Sequence, residues 1–142
     1  MIRRIFLLAL AAMAFVCAGA LSTKAQQQAE PRIAFVVGNS AYRAGPIANA
    51  LNDAGLVAEA LRSIGFEIVE GGDLGQPEFI QSYREFLGKV EAAGPDTLAF
   101  VYFSGYGLSL EDENFLLGVD ARLDRESDIP IQGVRLSDLM GP

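Results

Sequence analysis

Residues 97–107 read TLAFVYFSGYG: seven uncharged positions rich in β-branched and aromatic side chains, then Ser104-Gly105-Tyr106-Gly107. Such a run is a strand, and the Gly-x-Gly ends it in a turn. Upstream, Gly94-Pro95 stops a helix that opens at Pro77, a favourable first-turn position. Within it Phe79, Ile80, Tyr83, Phe86, Leu87 and Val90 recur at helical spacing, the strongest such signal in the chain. Before that helix, Phe66–Glu70 reads as a short strand followed by a Gly71-Gly72-Asp73 turn. A further helix over about 48–63 carries Leu51, Ala54, Val57, Ala58 and Leu61 as one apolar stripe, and Gly65 stops it. Earliest comes Arg32–Val37, RIAFVV, a nearly continuous apolar run that suits a parallel strand buried on both faces. Gly38-Asn39-Ser40 turns it, and a loop follows over Tyr42–Pro46.

The order β-α-β-α-β implies parallel strands joined by right-handed crossovers. The expected class is α/β, a three-layer α/β/α sandwich on a mainly parallel sheet of three or four strands. Downstream of Gly107, Asn114–Val119 is the fourth short apolar run, and Leu136–Met140 begins another helix.

Composition excludes much chemistry. The 142 residues contain no histidine and one cysteine, Cys17. Histidine-based triads, Cys–His dyads and imidazole metal sites are therefore absent from this sequence. Cys-rich zinc sites and disulfides need at least two cysteines. No metal and no cofactor is expected. Hydrophobic content of 51% against 20% charged residues is a globular balance, and the length suits one domain.

The N-terminus reads as an export signal. Arg3 and Arg4 precede an apolar run, Ile5–Ala20, and small residues follow. Cleavage after Ala25 or after Ala20 fits equally; the alternative is an uncleaved membrane anchor, for which the run is short. Residues 1–25 are thus a signal peptide, 26–31 a polar linker, and 32–142 the domain, secreted or periplasmic. Cleavage after Ala25 removes three cations and no acid, taking the net charge from −7 to −10. It also removes Cys17. So acidic a chain is a poor partner for nucleic acid or anionic lipid. Contact with membrane is expected only through the signal segment.

In open α/β sheets chemistry sits at the carboxyl ends of the strands. Two loops lie there, Gly38–Gly45 and Ser104–Leu108. The first lacks the Gly-Lys-Ser/Thr ending of a phosphate loop and does not run straight into a helix. The second places Tyr106 between two glycines, whose backbone can approach a ligand closely, as an oxyanion hole requires.

At this point the chain resembles the large-subunit (p20) half of a caspase-like cysteine peptidase domain, peptidase family C14, of the bacterial metacaspase or orthocaspase type. The resemblance rests on RIAFVVGNSAY (32–42), NALNDAGLVAEALRSIGFEI (49–68), the helix of Phe86, AFVYFSGYG (99–107) and NFLLGVDARL (114–123). It covers essentially all of residues 32–140. It implies a caspase-haemoglobinase-like fold whose C-terminal part is missing here. It also implies a catalytic histidine between the two glycines, where this sequence has Tyr106, and a nucleophilic cysteine beyond position 142.

Tyr106 is a weak substitute base, since a phenol titrates near pH 10. Arg43 lies in the first loop and is the candidate cation to assist it. Lys89, the sole lysine after residue 25, belongs to the 77–92 helix. Ser104 is the remaining nucleophile candidate, in a position the resemblance makes small and structural. Asp53 shapes the site or, more simply, supports the N-terminus of its helix. Asp120 braces the loop below it. Glu111-Asp112-Glu113-Asn114 offers oxygen ligands suited to Ca²⁺ without the spacing of a known loop, and reads as a solvated turn.

The expected function is an exported caspase-like domain that binds peptide or protein, through Gly105 and Gly107, without cutting it. Two alternatives stand beside it. One is the front half of a working hydrolase whose nucleophile and base lie beyond residue 142. The other is a purely structural, partner-binding sheet domain. The sheet is expected to be under-covered on one face, making residues 26–142 alone unstable or self-associating.

Overall fold

The computed structural model describes residues 30–140. The expected signal peptide and most of the expected linker lie outside the described residues. Among the described residues no helix is long and apolar enough to cross a membrane.

Strand β1 (Arg32–Gly38) is the centre of the molecule. Flanked by β2 (Glu67–Gly72) and β3 (Leu98–Ser104) in a parallel sheet of order β2-β1-β3, and covered by a helix on each face, its residues Ile33–Val37 are all buried. The register sets Phe35 against Val69 on one side and Val101 on the other. The sheet begins one residue before β1, where the Leu98 N–H donates to the Pro31 carbonyl. Pro31, expected in the linker, is thus already part of the domain's edge.

Alternate side chains of β1 serve opposite layers, as the period of a strand requires. Ala34 and Val36 pack against helix α1 (Ala50–Ser63). Ile33, Phe35 and Val37 pack against helix α2 (Gln76–Ala93). The second face is aromatic: Phe35 meets Phe79, Tyr83 and Phe86 at centroid distances of 5.4, 5.6 and 5.8 Å. The expected three-layer α/β/α arrangement is present.

Helix α1 buries most of the expected stripe: Ala54 and Ala58 are buried against β1, with Val57 and Leu61 packed beside them. Leu51 departs from it, being exposed, and Ala50 takes its place. Alanines four apart let the helix backbone lie close to the strand. The helix ends as expected at Gly65, at φ +90°. The Gly65 N–H donates to Arg62 and the Phe66 N–H to Leu61, a Schellman arrangement that only a left-handed residue completes without strain.

The fourth apolar run does not join the parallel sheet. β4 (Gly107–Leu110), β5 (Glu113–Leu117) and β6 (Gly133–Arg135) form a separate antiparallel sheet, order β4-β5-β6. The reason is connection length. Two residues link β3 to β4 and two link β4 to β5, whereas a parallel return needs a dozen or more. After β5 come a 3₁₀ turn (Glu126–Asp128), the short helix α3 (Ile129–Gln132), β6 and helix α4 (Leu136–Met140). The Tyr83 hydroxyl donates to the Leu139 carbonyl, fastening α4 to α2.

Each sheet face carries a helix, yet among the described residues neither covers the start of β3: Leu98, Phe100 and Val101 are 43%, 40% and 37% exposed.

Candidate active site

The carboxyl ends of β1 and β3 meet at a hydrogen-bonded node. Asn39, fully buried, follows β1 directly. Its N–H donates to the Ser104 carbonyl at 2.8 Å, extending the sheet by one rung. Its side-chain amide donates to the carbonyls of Leu74 and Leu117, at 3.1 and 3.3 Å, and its Oδ1 accepts from the Leu74 N–H at 2.8 Å. One side chain thus ties β1 to the segment after β2 and to the end of β5. A buried amide so fully paired holds these three segments in fixed register.

Asp73 governs the next turn. Its Oδ1 accepts from the N–H groups of Ser40 and Ala41, at 2.6 and 2.8 Å. Two consecutive backbone donors converging on one oxygen make an anion cradle, here filled by the protein's own carboxylate. The Ser40 hydroxyl donates to the Ile47 carbonyl and so closes the loop. In the sequence Asn39 and Asp73 read as turn residues. The signal at Asn39 is a polar side chain placed directly after a fully buried strand, whereas Asp73 follows a mostly exposed one.

Tyr42 brings this loop to the Gly-x-Gly turn. It is buried, and its hydroxyl accepts from the Tyr106 N–H at 3.1 Å while donating to the Leu117 carbonyl at 2.9 Å. The Leu117 N–H donates directly to the Tyr106 carbonyl at 3.0 Å. One rung between residues 106 and 117 is therefore direct, and the other runs through a phenol from a distant segment. Burial pushes the Tyr42 phenol above its ordinary value, so it stays protonated and able to donate.

The turn expected over Ser104–Gly107 is shorter than that. Ser104 closes β3, Gly107 opens β4, and Gly105-Tyr106 alone lies between. Tyr106 is 39% exposed, and its ring packs on Tyr42 at 4.7 Å between centroids, tilted by 54°. Gly105 is where the chain has no room: a Cβ there would stand 2.4 Å from the Tyr42 hydroxyl and 2.5 Å from the Phe103 ring. Gly107 pairs with Leu116, next to the rung at residue 106, so its own N–H points away from β5.

The other candidates are dispersed. Arg43 is exposed in the same loop, and among the described residues it forms neither an ion pair nor a ring contact with Tyr106. Ser104 contributes its carbonyl to Asn39. Asp53 is exposed in the first turn of α1. Lys89 pairs with Glu67 at 2.5 Å on α2, and that hydrogen bond raises its ammonium above its ordinary value. It stays a cation, away from the turn. Asp120 accepts from the Gln76 N–H at 2.9 Å, at the start of α2, where a carboxylate favours the helix terminus. Glu111 and Asp112 form the tight turn between β4 and β5, both at positive φ. No cluster of three or more metal-ligating side chains occurs among the described residues.

Against known proteins, the family model for the caspase domain, Peptidase_C14, matches residues 31–140. The chain belongs to the caspase domain family. No curated protein matches it. The matched span runs from Pro31 to the last turn of α4. It carries both sheets, so the antiparallel hairpin belongs to the caspase domain as much as β1 does.

Proposed function

We propose that this caspase domain is an exported, bacterial metacaspase-like pseudo-peptidase that binds an extended peptide or protein segment without cleaving it. The observation that carries this reading is the state of position 106. The C14 pattern calls for a histidine there, and this chain has a tyrosine whose N–H is already taken by Tyr42. Acyl transfer by this fold needs a base beside its nucleophile, and residues 26–142 supply no imidazole to serve as one. The exposed Tyr106 ring and the outward N–H of Gly107 remain to contact a bound chain.

The test is cleavage and binding measured side by side, with fluorogenic peptides ending in Arg, Lys or Asp. Binding without turnover is expected, weakened by Tyr106→Ala. Turnover abolished by Tyr106→Phe would defeat the reading. Export is tested separately, by N-terminal sequencing of the periplasmic or secreted protein, with a start at Gln26 or Leu21 expected.

A second reading has its own support in the open β3 edge. Among the described residues β3 is paired on one side alone, with β1, and a strand with three exposed apolar side chains suits a further strand beside it. In that reading the chain is the front part of a larger hydrolase, and the residues that follow supply nucleophile and base. A cysteine- or serine-reactive probe labelling the full gene product, lost on Gly105→Asp, would favour it.

A further inference from the structure

Strand β4 is an edge of the antiparallel sheet, and the hydrogen-bond pattern decides which of its backbone groups are spare. The Leu117 N–H donates to the Tyr106 carbonyl, so residues 106 and 117 face each other as a hydrogen-bonded pair. In an antiparallel ladder such pairs alternate with unbonded ones. Leu108 opposite Phe115 and Leu110 opposite Glu113 are therefore bonded inward. Gly107 and Ser109 turn their N–H and C=O groups outward, two donors and two acceptors along an exposed edge. Among the described residues no strand pairs with that edge.

Strand β2, at the rim of the parallel sheet, is the contrasting case. Its Glu67 and Glu70 are held in ion pairs with Lys89 and Arg62. Charges of that kind keep an edge from accepting another strand. Gly107-Leu108-Ser109-Leu110 has no charge and no proline. Its side chains add a preference. Tyr106 and Leu108, two apart, lie on one face of the sheet and are 39% and 37% exposed. The hairpin tip beyond them carries Glu111 and Asp112, exposed and without an ion pair among the described residues. A second copy pairing here would bring two acidic tips of an acidic chain together, and like charges oppose that.

We propose that β4 accepts an extended segment of a partner protein as a fourth, antiparallel strand. The segment carries an apolar side chain opposite Leu108 and basic ones two and three residues N-terminal to it. Its backbone bonds Gly107 and Ser109, the apolar side chain covers Leu108 and the Tyr106 ring, and the cations reach Glu111 and Asp112. Main-chain bonds supply the affinity, and the alternating side chains supply the selectivity. The inference rests on the peptide-binding reading and names the class of segment bound.

The test is a fluorescence-anisotropy titration of labelled Lys-Arg-Thr-Val-Thr-amide with the full chain. In the antiparallel register its valine lies opposite Leu108, and its two threonines lie opposite Ser109 and Gly107. N-methylation of either threonine should weaken binding about tenfold, whereas N-methylation of the valine, whose N–H points away from β4, should not. Ser109→Pro removes an outward donor that the β4–β5 ladder does not use, so the hairpin stands and binding falls about tenfold. Glu111→Gln with Asp112→Asn should weaken the probe a few-fold, and the difference should vanish near about 1 M salt.

Equal losses at all three methylated positions overturn strand addition, as does unchanged affinity in Ser109→Pro. If Tyr106→Ala still weakens the probe in that case, peptide binding at the turn survives without the β4 edge. Absence of binding up to about 1 mM also overturns the inference, and the fluorogenic peptides then judge the wider reading on their own. Binding that disappears as the protein is concentrated, with the Gly107 and Ser109 amides becoming protected from exchange, assigns the edge to a second copy and rejects a partner segment. Should Ser109→Pro fail to fold, the methylated series on the unaltered chain decides the matter.

Discussion

The Tyr42 hydroxyl stands where a cross-strand hydrogen bond would otherwise run, between the Tyr106 N–H and the Leu117 carbonyl. Tyr42→Phe leaves both groups facing a ring edge, so it should cost about 1–3 kcal/mol in urea unfolding. A cost below a few tenths would mean that the two backbone groups close on each other. Burial raises both the Tyr42 and Tyr83 phenols, whereas an unfolded tyrosine titrates at about 10. The raised folded value means that the fold favours the protonated form. Its contribution is whole below about pH 10 and is lost as pH climbs through that value toward the folded ones. Stability measured from pH 9 to 11.5 should therefore fall, and Tyr83→Phe should flatten the decline. An equally steep decline in that variant would assign it to other groups. At this scale the sequence disclosed Tyr106 and its glycines but not what holds them. Asn39, Tyr42 and Asp73 act across separations of 32–78 residues, and no local pattern reports such pairings.

Between elements, connection length outweighed hydrophobic pattern. The periodicity of 79–90 and the RIAFVV run disclosed α2 and β1, because burial on one or both faces dictates those patterns directly. The second sheet stayed hidden, since a short apolar run such as Asn114–Val119 fits a parallel or an antiparallel strand alike. Only the two-residue spacing of β4 and β5 separates the possibilities. Their turn is made by Glu111 at φ 50° and Asp112 at φ 66°, the conformation of a type I′ hairpin. Neither residue is the natural occupant, and a side chain in the left-handed region costs roughly 1 kcal/mol or more. The double substitution Glu111→Asn, Asp112→Gly should thus raise stability by about 1 kcal/mol, read as an upward shift in Tm. A lowered Tm would show that the acidic pair contributes contacts of its own.

For the whole molecule, the edge of β3 decides behaviour in solution. Leu98–Ser104 has no charge, no proline and no bulge, the devices that keep natural edges from pairing. Residues 26–142 should self-associate at micromolar concentration, and Val101→Lys should return them toward monomer in light scattering. A monomeric, sharply melting parent protein would count against that. The caspase fold itself was legible because its motifs surround one buried strand, while export rests on residues outside the described domain. Gly105 links the molecule to its kin in another way. Its lack of a side chain is enforced by Tyr42 and Phe103, not by any bound reactant. Selection for folding alone would preserve that glycine after any change at position 106. The sequence imprint of the family can therefore outlive its chemistry, and descent and activity become separable properties of one loop.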